Sequence, residues 1–194
     1  MAVITISRQM GSLGRQVAVE IGRSLNYRVV LREVINEAAS RAGVPEVALA
    51  TIDELDLLGL RPSADARSAY HAAVDEIMCE LANEGNVVIV GRAGQVILRG
   101  RPDVLHVRIY APLELRVERI AGQRNVSLEA ARAQVLASDK TRTLYLKRYY
   151  QSRWDDPELY DVMINTEHLG IQDAALVVCE ALKHRKSTSG SEKD

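Results

Sequence analysis

The chain contains no phenylalanine, one tryptophan and two cysteines, and aromatic residues make up 4% of it. The missing phenylalanine excludes nothing by itself. The cysteines exclude more: Cys79 and Cys179 stand alone in their neighbourhoods, which argues against a disulfide framework or a zinc site and makes a reducing cytoplasm the expected setting. His71, His106, His168 and His184 show no metal-ligand spacing either. No apolar run approaches the ~20 residues that cross a bilayer, and the first residues enter a strand pattern directly, without the basic segment and apolar core of a signal peptide. A membrane partner is therefore not expected. A net charge of −1 argues against the broad positive field that grips nucleic acid, so a nucleic-acid partner is not expected.

One absence is local. Residues 1–19 carry Arg8 and Arg15 but no carboxylate, although a helix N-terminus favours acids and disfavours cations. The segment Ser7-Arg8-Gln9-Met10-Gly11-Ser12-Leu13-Gly14-Arg15-Gln16 follows the apolar run Ala2 to Ile6 and leads into a helical pattern from Val17 to Leu25. Strand, glycine-bearing loop and helix in that order suit a phosphate, held by backbone N–H groups, a glycine-permitted close approach and a guanidinium. Against the common P-loop spacing only Gly14 fits: Gln9 stands where the first glycine would be, Arg15 replaces the lysine, and Gln16 replaces the hydroxyl residue that touches Mg²⁺. A helix that starts after a Gly-rich turn, with Arg15 solvated, is the structural alternative.

What is present is ordinary for a soluble globular chain: 47% apolar and 26% charged residues over 194 positions, enough for one domain with a real core. Short runs rich in β-branched residues at Val3 to Ile6, Val87 to Val90, Val104 to Ile109 and Val162 to Ile164 predict strands buried on both faces, and Tyr27 to Leu31 predicts a weaker one nearer an edge. Helical patterns of ten or more residues between them predict right-handed crossovers and an α/β fold, a parallel sheet of about five strands with helices on both faces. Helices are expected over Glu33 to Ala42, Pro45 to Leu57 and, after the break Gly59-Leu60-Arg61-Pro62, over Ala64 to Asn83 with Ser63 as N-cap. Residues 1–184 read as a single domain, and 185–194 as a disordered tail that lacks apolar residues.

Between Glu114 and Arg153 nine Lys/Arg face four Asp/Glu, over two helical patterns separated by Gly122 to Ser127. Arg116 and Arg119 share one helical face, as do Asp139 and Arg142. Local salt bridges on solvated faces would explain any one such pair.

In this order the pieces resemble the cytidylate kinase-like family of P-loop nucleoside monophosphate kinases. The resemblance rests on Ile4-Thr5-Ile6-Ser7-Arg8 with Gly11-Ser12-Leu13-Gly14-Arg15, on Val88-Ile89-Val90-Gly91-Arg92, and on Arg116 with Arg119. It continues through Asp139-Lys140-Thr141-Arg142, Tyr149-Tyr150 and Asp156 to Asp161, and into Asn165-Thr166 and Leu169-Gly170. The resemblance implies a three-layer P-loop kinase fold, ATP and Mg²⁺ as cofactors, a small-molecule acceptor as partner and a small helical lid around residues 120–140 that excludes water. Oligomeric state is not legible.

Phosphoryl transfer asks a protein to position two phosphates and neutralise charge on the transferred oxygens, work suited to several guanidiniums. Gly11, Ser12, Leu13, Gly14, Arg15 and Gln16 form the expected phosphate site, with the Ser12 to Arg15 amides on the donor β-phosphate and the Arg15 side chain bridging to the transferred group. Arg92, at a strand end, is expected on the acceptor's phosphate. Arg119 and Arg142 would close from the lid, with Asp139 orienting one of them or assisting the acceptor. Arg116 and Arg124 are second choices, expected at the surface. Asn165 and Thr166 sit where such folds contact adenine, with a simple turn as the competing explanation, and Tyr160 and Asp161 are expected to be structural.

The chain departs from the family where cytidylate kinases carry acids around the Gly-Arg pair, here Val90 and Ala93, and where related families carry an aspartate after the second strand, here Leu31. The leading expectation is an ATP-dependent nucleoside monophosphate kinase passing the γ-phosphoryl group to a small phosphorylated acceptor such as CMP. The alternatives are a catalytically weak or regulatory nucleotide-binding protein on the same fold, and a kinase for another small acceptor.

Overall fold

The computed structural model describes residues 2–31 and 64–185, together with residues 34, 37, 40, 41 and 43. The expected helices Glu33 to Ala42 and Pro45 to Leu57, the break before Ser63, and residues 186–194 of the tail lie wholly or largely outside the described residues. Arg185, placed in the tail by composition, is described and sits 3.9 Å from Asp161.

Five strands form one sheet: β1 (Val3–Arg8), β2 (Arg28–Val30), β3 (Val87–Val90), β4 (Val104–Tyr110) and β5 (Val162–Asn165). Their order is β2-β3-β1-β4-β5 and every pairing is parallel. Helices bounded among the described residues are α1 (Gly14–Leu25), α2 (Ala64–Glu84), α3 (Gly94–Ile97), α4 (Leu113–Arg124), α5 (Leu128–Tyr150) and α6 (Ile171–Lys183). The link from β3 to β4 corrects the expected run of long crossovers, because its only helix is the four-residue α3.

Side chains alternate between the two faces of the sheet. Ile4, Ile6, Val88, Val90, Leu105, Val107 and Ile109 face α1 and α6, while Val3, Val87, Ile89 and Val104 pack with α2. Along that second face the strand residues turn polar toward their C-terminal ends: Thr5 and Ser7 on β1, and His106 and Arg108 on β4, all buried. Buried polar side chains persist only when hydrogen-bonded. Accordingly, Thr5 Oγ1 meets His106 Nδ1 at 2.7 Å, and Arg108 donates to the Trp154 carbonyl and, at 3.2 Å, to the Tyr160 hydroxyl. The face that fills the core at one end of the sheet thus becomes a polar floor at the other, where ligands bind in open α/β sheets.

Burial pushes the His106 imidazole below its ordinary value of 6.5, with nearby Asp161 opposing the shift. The unfolded chain then binds that proton more readily, so this stability is complete above pH 6.5 and is lost as pH falls through that value toward the lower folded one. Thermal denaturation is expected to show a lower Tm at pH 5 than at pH 7, with a smaller drop in His106→Gln. An unchanged drop in the variant would remove His106 as its source.

Candidate active site

Helix α1 begins without a side-chain cap. Leu13 precedes it in the left-handed region at φ 62, and no acid occupies its first turn. Four N–H groups are orphaned at any helix start. Here the amides of Leu13, Gly14, Arg15 and Gln16 donate to no protein acceptor among the described residues, whereas Ser12, expected to join them, donates its N–H to Gln9 O at 3.4 Å. The result is a set of open N–H donors at the end of β1, an arrangement that suits an anion, with Arg15 and Gln16 both exposed. Gly14 is required by packing, since a Cβ there would lie 2.5 Å from Arg8 Cβ.

The loop is braced from beneath by a side chain expected at the surface. Arg116 is 4% exposed: Nε donates to Ala111 O at 3.0 Å, Nη1 reaches Met10 O at 3.4 Å, and Nη2 pairs with Asp139 Oδ2 at 2.9 Å. Asp139 of α5 is therefore tied to Arg116 rather than to Arg119 or Arg142. Gly11, at φ +79, allows the contact, because a Cβ would lie 2.7 Å from Arg116 O.

Arg119 is half-buried and engaged: its guanidinium donates to Gly11 O at 3.3 Å, Thr166 Oγ1 at 3.1 Å and Thr166 O at 2.8 Å. Thr166 is buried and passes its own proton to Ser12 O at 3.0 Å. Asn165 Oδ1 accepts the Glu167 N–H at 3.0 Å, the turn that competed with base contact. These residues join the loop before α1 to the end of β5. The structural roles expected of Asp161 and Tyr160 have direct counterparts: Asp161 accepts the His106 N–H at 2.7 Å, and Tyr160 donates to Trp154 O at 2.7 Å.

Beside the loop lies a cavity of about 390 Å³. Four arginines line it, Arg8 from β1, Arg92 after β3, Arg124 from the end of α4 and Arg142 from α5, and no described lining residue is a carboxylate. Arg124 donates to Gln134 Oε1 and Arg142 to Ser138 Oγ. Four guanidiniums around one space give it a positive potential that suits an anion. Arg15 does not line this cavity, and Arg119 does not either.

Arg8, Gln95 and Trp154 belong to this site although the sequence did not place them there. For Arg8 a signal existed, an arginine at a strand end beside a glycine loop. Its guanidinium occupies the space that Gly91 leaves open at φ +87, where a Cβ would lie 2.4 Å from Arg8 Nη1. Gly91→Ala therefore combines backbone strain with displacement of a cavity cation. The expected result is binding of inorganic phosphate weakened by about tenfold, read by the fluorescence of the cavity residue Trp154. Unchanged phosphate binding would contradict a role for Arg8 in the cavity.

The groups present fit a phosphate more clearly than a directly held metal. Among the described residues no group of three His, Cys, Asp or Glu could hold an ion, Gln16 replaces the usual hydroxyl, and Val90 is buried in the sheet. Mg²⁺ would then be held by the donor's phosphates and by water, a common arrangement for this strongly hydrated ion. No helix among the described residues is long and apolar enough to cross a membrane.

Comparison with known proteins agrees with this geometry. Cytidylate kinase of Pyrobaculum calidifontis is 29% identical over 193 residues, covering 95% of this chain and 97% of its own. Cytidylate kinase of Ignicoccus hospitalis is 30% identical, with 88% of this chain and 92% of its own covered. Among solved structures, an uncharacterized protein from Eubacterium ventriosum superposes with a TM-score of 0.76 at 21% identity, over 95% of this chain and all of its own. Shikimate kinase from Acinetobacter baumannii gives 0.56 at 14% identity, over 96% and 95%, a likeness of fold alone. The model of the cytidylate kinase-like family matches residues 3–168, and the chain belongs to that family.

Proposed function

We propose that this protein is an ATP-dependent phosphotransferase that passes the γ-phosphoryl group to a phosphate oxygen of a small acceptor, a nucleoside monophosphate such as CMP. The observation that carries this reading is the cavity lined by four arginines beside the open helix start. A hydroxyl acceptor must lose a proton as it attacks and calls for a general base. A phosphate acceptor is already anionic at neutral pH and calls for charge neutralisation, which guanidiniums supply.

In this reading the open amides from Leu13 to Gln16 hold the donor's β-phosphate, and Arg15 reaches from the same turn to the transferred group. Arg8 and Arg92 clamp the acceptor's phosphate from the strand ends. Arg142 and Arg124 approach from α5 and α4, across the proposed lid at residues 120–140, and spread the charge of the transferring oxygens. Arg119 acts as a positioning residue, holding the Thr166 turn beside the loop. Asp139 acts through Arg116 by fixing the loop's underside. Magnesium, carried in with ATP, would lower the charge on the phosphates. The proposed setting is the cytoplasm.

Incubation with Mg-ATP and a panel of nucleoside monophosphates, shikimate and gluconate, with ADP release followed, tests the reading. Turnover with a nucleoside monophosphate and not with the hydroxyl acceptors is expected. Turnover confined to a hydroxyl acceptor would overturn it, and nucleotide binding without turnover would favour the regulatory alternative that Gln16, Val90 and Ala93 motivate.

A further inference from the structure

We propose that Gln95 determines which acceptor is bound, by accepting a hydrogen bond from an N–H group of the acceptor's nucleobase. This rests on the nucleoside monophosphate reading above. Gln95 is 3% exposed, lies in α3 and lines the cavity. A buried carboxamide presents either its NH₂ or its oxygen to a ligand, and the surrounding hydrogen bonds decide which.

The decision falls on the single proton of the Tyr160 hydroxyl. Trp154 O lies 2.7 Å from that hydroxyl and takes the proton, while Ser7 Oγ, at 3.3 Å, already accepts from Trp154 Nε1 at 2.9 Å. The Tyr160 oxygen is then left as an acceptor, for Arg108 Nη1 at 3.2 Å and for Gln95 Nε2 at 3.4 Å. With its NH₂ turned to Tyr160, the Gln95 amide presents its oxygen to the cavity. The opposite rotamer would need the Tyr160 proton to leave a 2.7 Å bond for a 3.4 Å one.

The cavity's other chemistry makes this oxygen distinctive. Its arginines only donate, and its second carboxamide, Gln134, already accepts from Arg124. Among the described lining residues, Gln95 supplies the carboxamide oxygen with no protein donor on it. Ala93, Leu146 and the Trp154 ring provide apolar wall beside it, the surroundings a flat heterocycle needs. A nucleobase carries N–H donors on its pairing edge; ribose 5-phosphate has the same phosphate and sugar and no such edge.

Trp154 is the chain's one tryptophan and lines the cavity, so its fluorescence reports acceptor binding without requiring turnover. CMP, UMP, AMP, GMP and ribose 5-phosphate would be titrated into the full chain, its Gln95→Leu variant and its Tyr160→Phe variant. In the unaltered protein one nucleotide is expected to bind at least ~10-fold tighter than ribose 5-phosphate, and Gln95→Leu to weaken that nucleotide by roughly tenfold with ribose 5-phosphate unchanged. Tyr160→Phe frees the amide to rotate and should erode the same preference by several-fold, which keeps the test open if Gln95→Leu fails to fold. Equal weakening of both ligands, or none, would overturn the role of Gln95. If the unaltered protein binds nucleotide and sugar phosphate equally, the base is not read and Gln95 has no such role, while the phosphate-acceptor reading stands. If it binds none of the nucleotides, that reading falls and the inference with it.

Discussion

Arg15→Ala is expected to lower kcat by about a thousandfold, the scale of removing a guanidinium that meets charge developing in a phosphoryl-transfer transition state. The side chain is exposed and makes no hydrogen bond or ion pair with the described residues, so Tm should stay within about 1 °C of the parent value. Arg15→Lys keeps the charge but loses the planar fork, and should recover part of the rate. ATP binding should weaken far less than kcat falls, because the amides of Leu13 to Gln16 remain. Steady-state kinetics beside thermal denaturation checks this. An Arg15→Ala enzyme with parental kcat would mean that this helix start holds a phosphate without taking part in transfer.

Arg116→Ala should act through stability instead. The substitution removes three contacts at once and leaves the Asp139 carboxylate, whose Oδ1 already lacks a partner, without its cation. Breaking such a pair from one side costs about 3 kcal/mol, which for a chain of this size is a fall in Tm of roughly 6–12 °C. The Asp139→Ala partner substitution should restore part of that loss, because it removes the stranded charge. Circular dichroism melts of the two single variants and the double variant measure this. Additive losses would show that Arg116 and Asp139 do not act as a pair.

These two arginines also show what the sequence discloses and what it hides. The central strands β1, β3 and β4 could be read because they are largely apolar and buried on both faces, whereas β5, expected to be buried likewise, lies, like β2, at a sheet edge and exposes Met163. The α3 link was misjudged because four residues carry too little pattern to distinguish a helix from a turn. Arg116 was expected at the surface, yet its spacing held the opposite signal: it lies three residues after Leu113 and four before Ile120, within the apolar stripe of α4. Arg108 is comparable, a charge inside the apolar run of β4. The open helix start before α1 was legible because its chemistry is local, an uncapped first turn with arginine and no acid. Arg8 beside Gly91, Trp154 beside Ser7 and the amide of Gln95 were not, since each depends on residues far apart in the chain that only the parallel crossovers bring together.

The acceptor's reacting atom is the centre of the account. With ATP labelled in its γ-phosphate and CMP as acceptor, anion-exchange chromatography of the products distinguishes the possibilities directly. The expected result is label in CDP, formed only with the acceptor present and lost with Arg15→Ala. Label appearing instead in a phosphomonoester of a hydroxyl acceptor, with none in any nucleoside diphosphate across the panel, would contradict it.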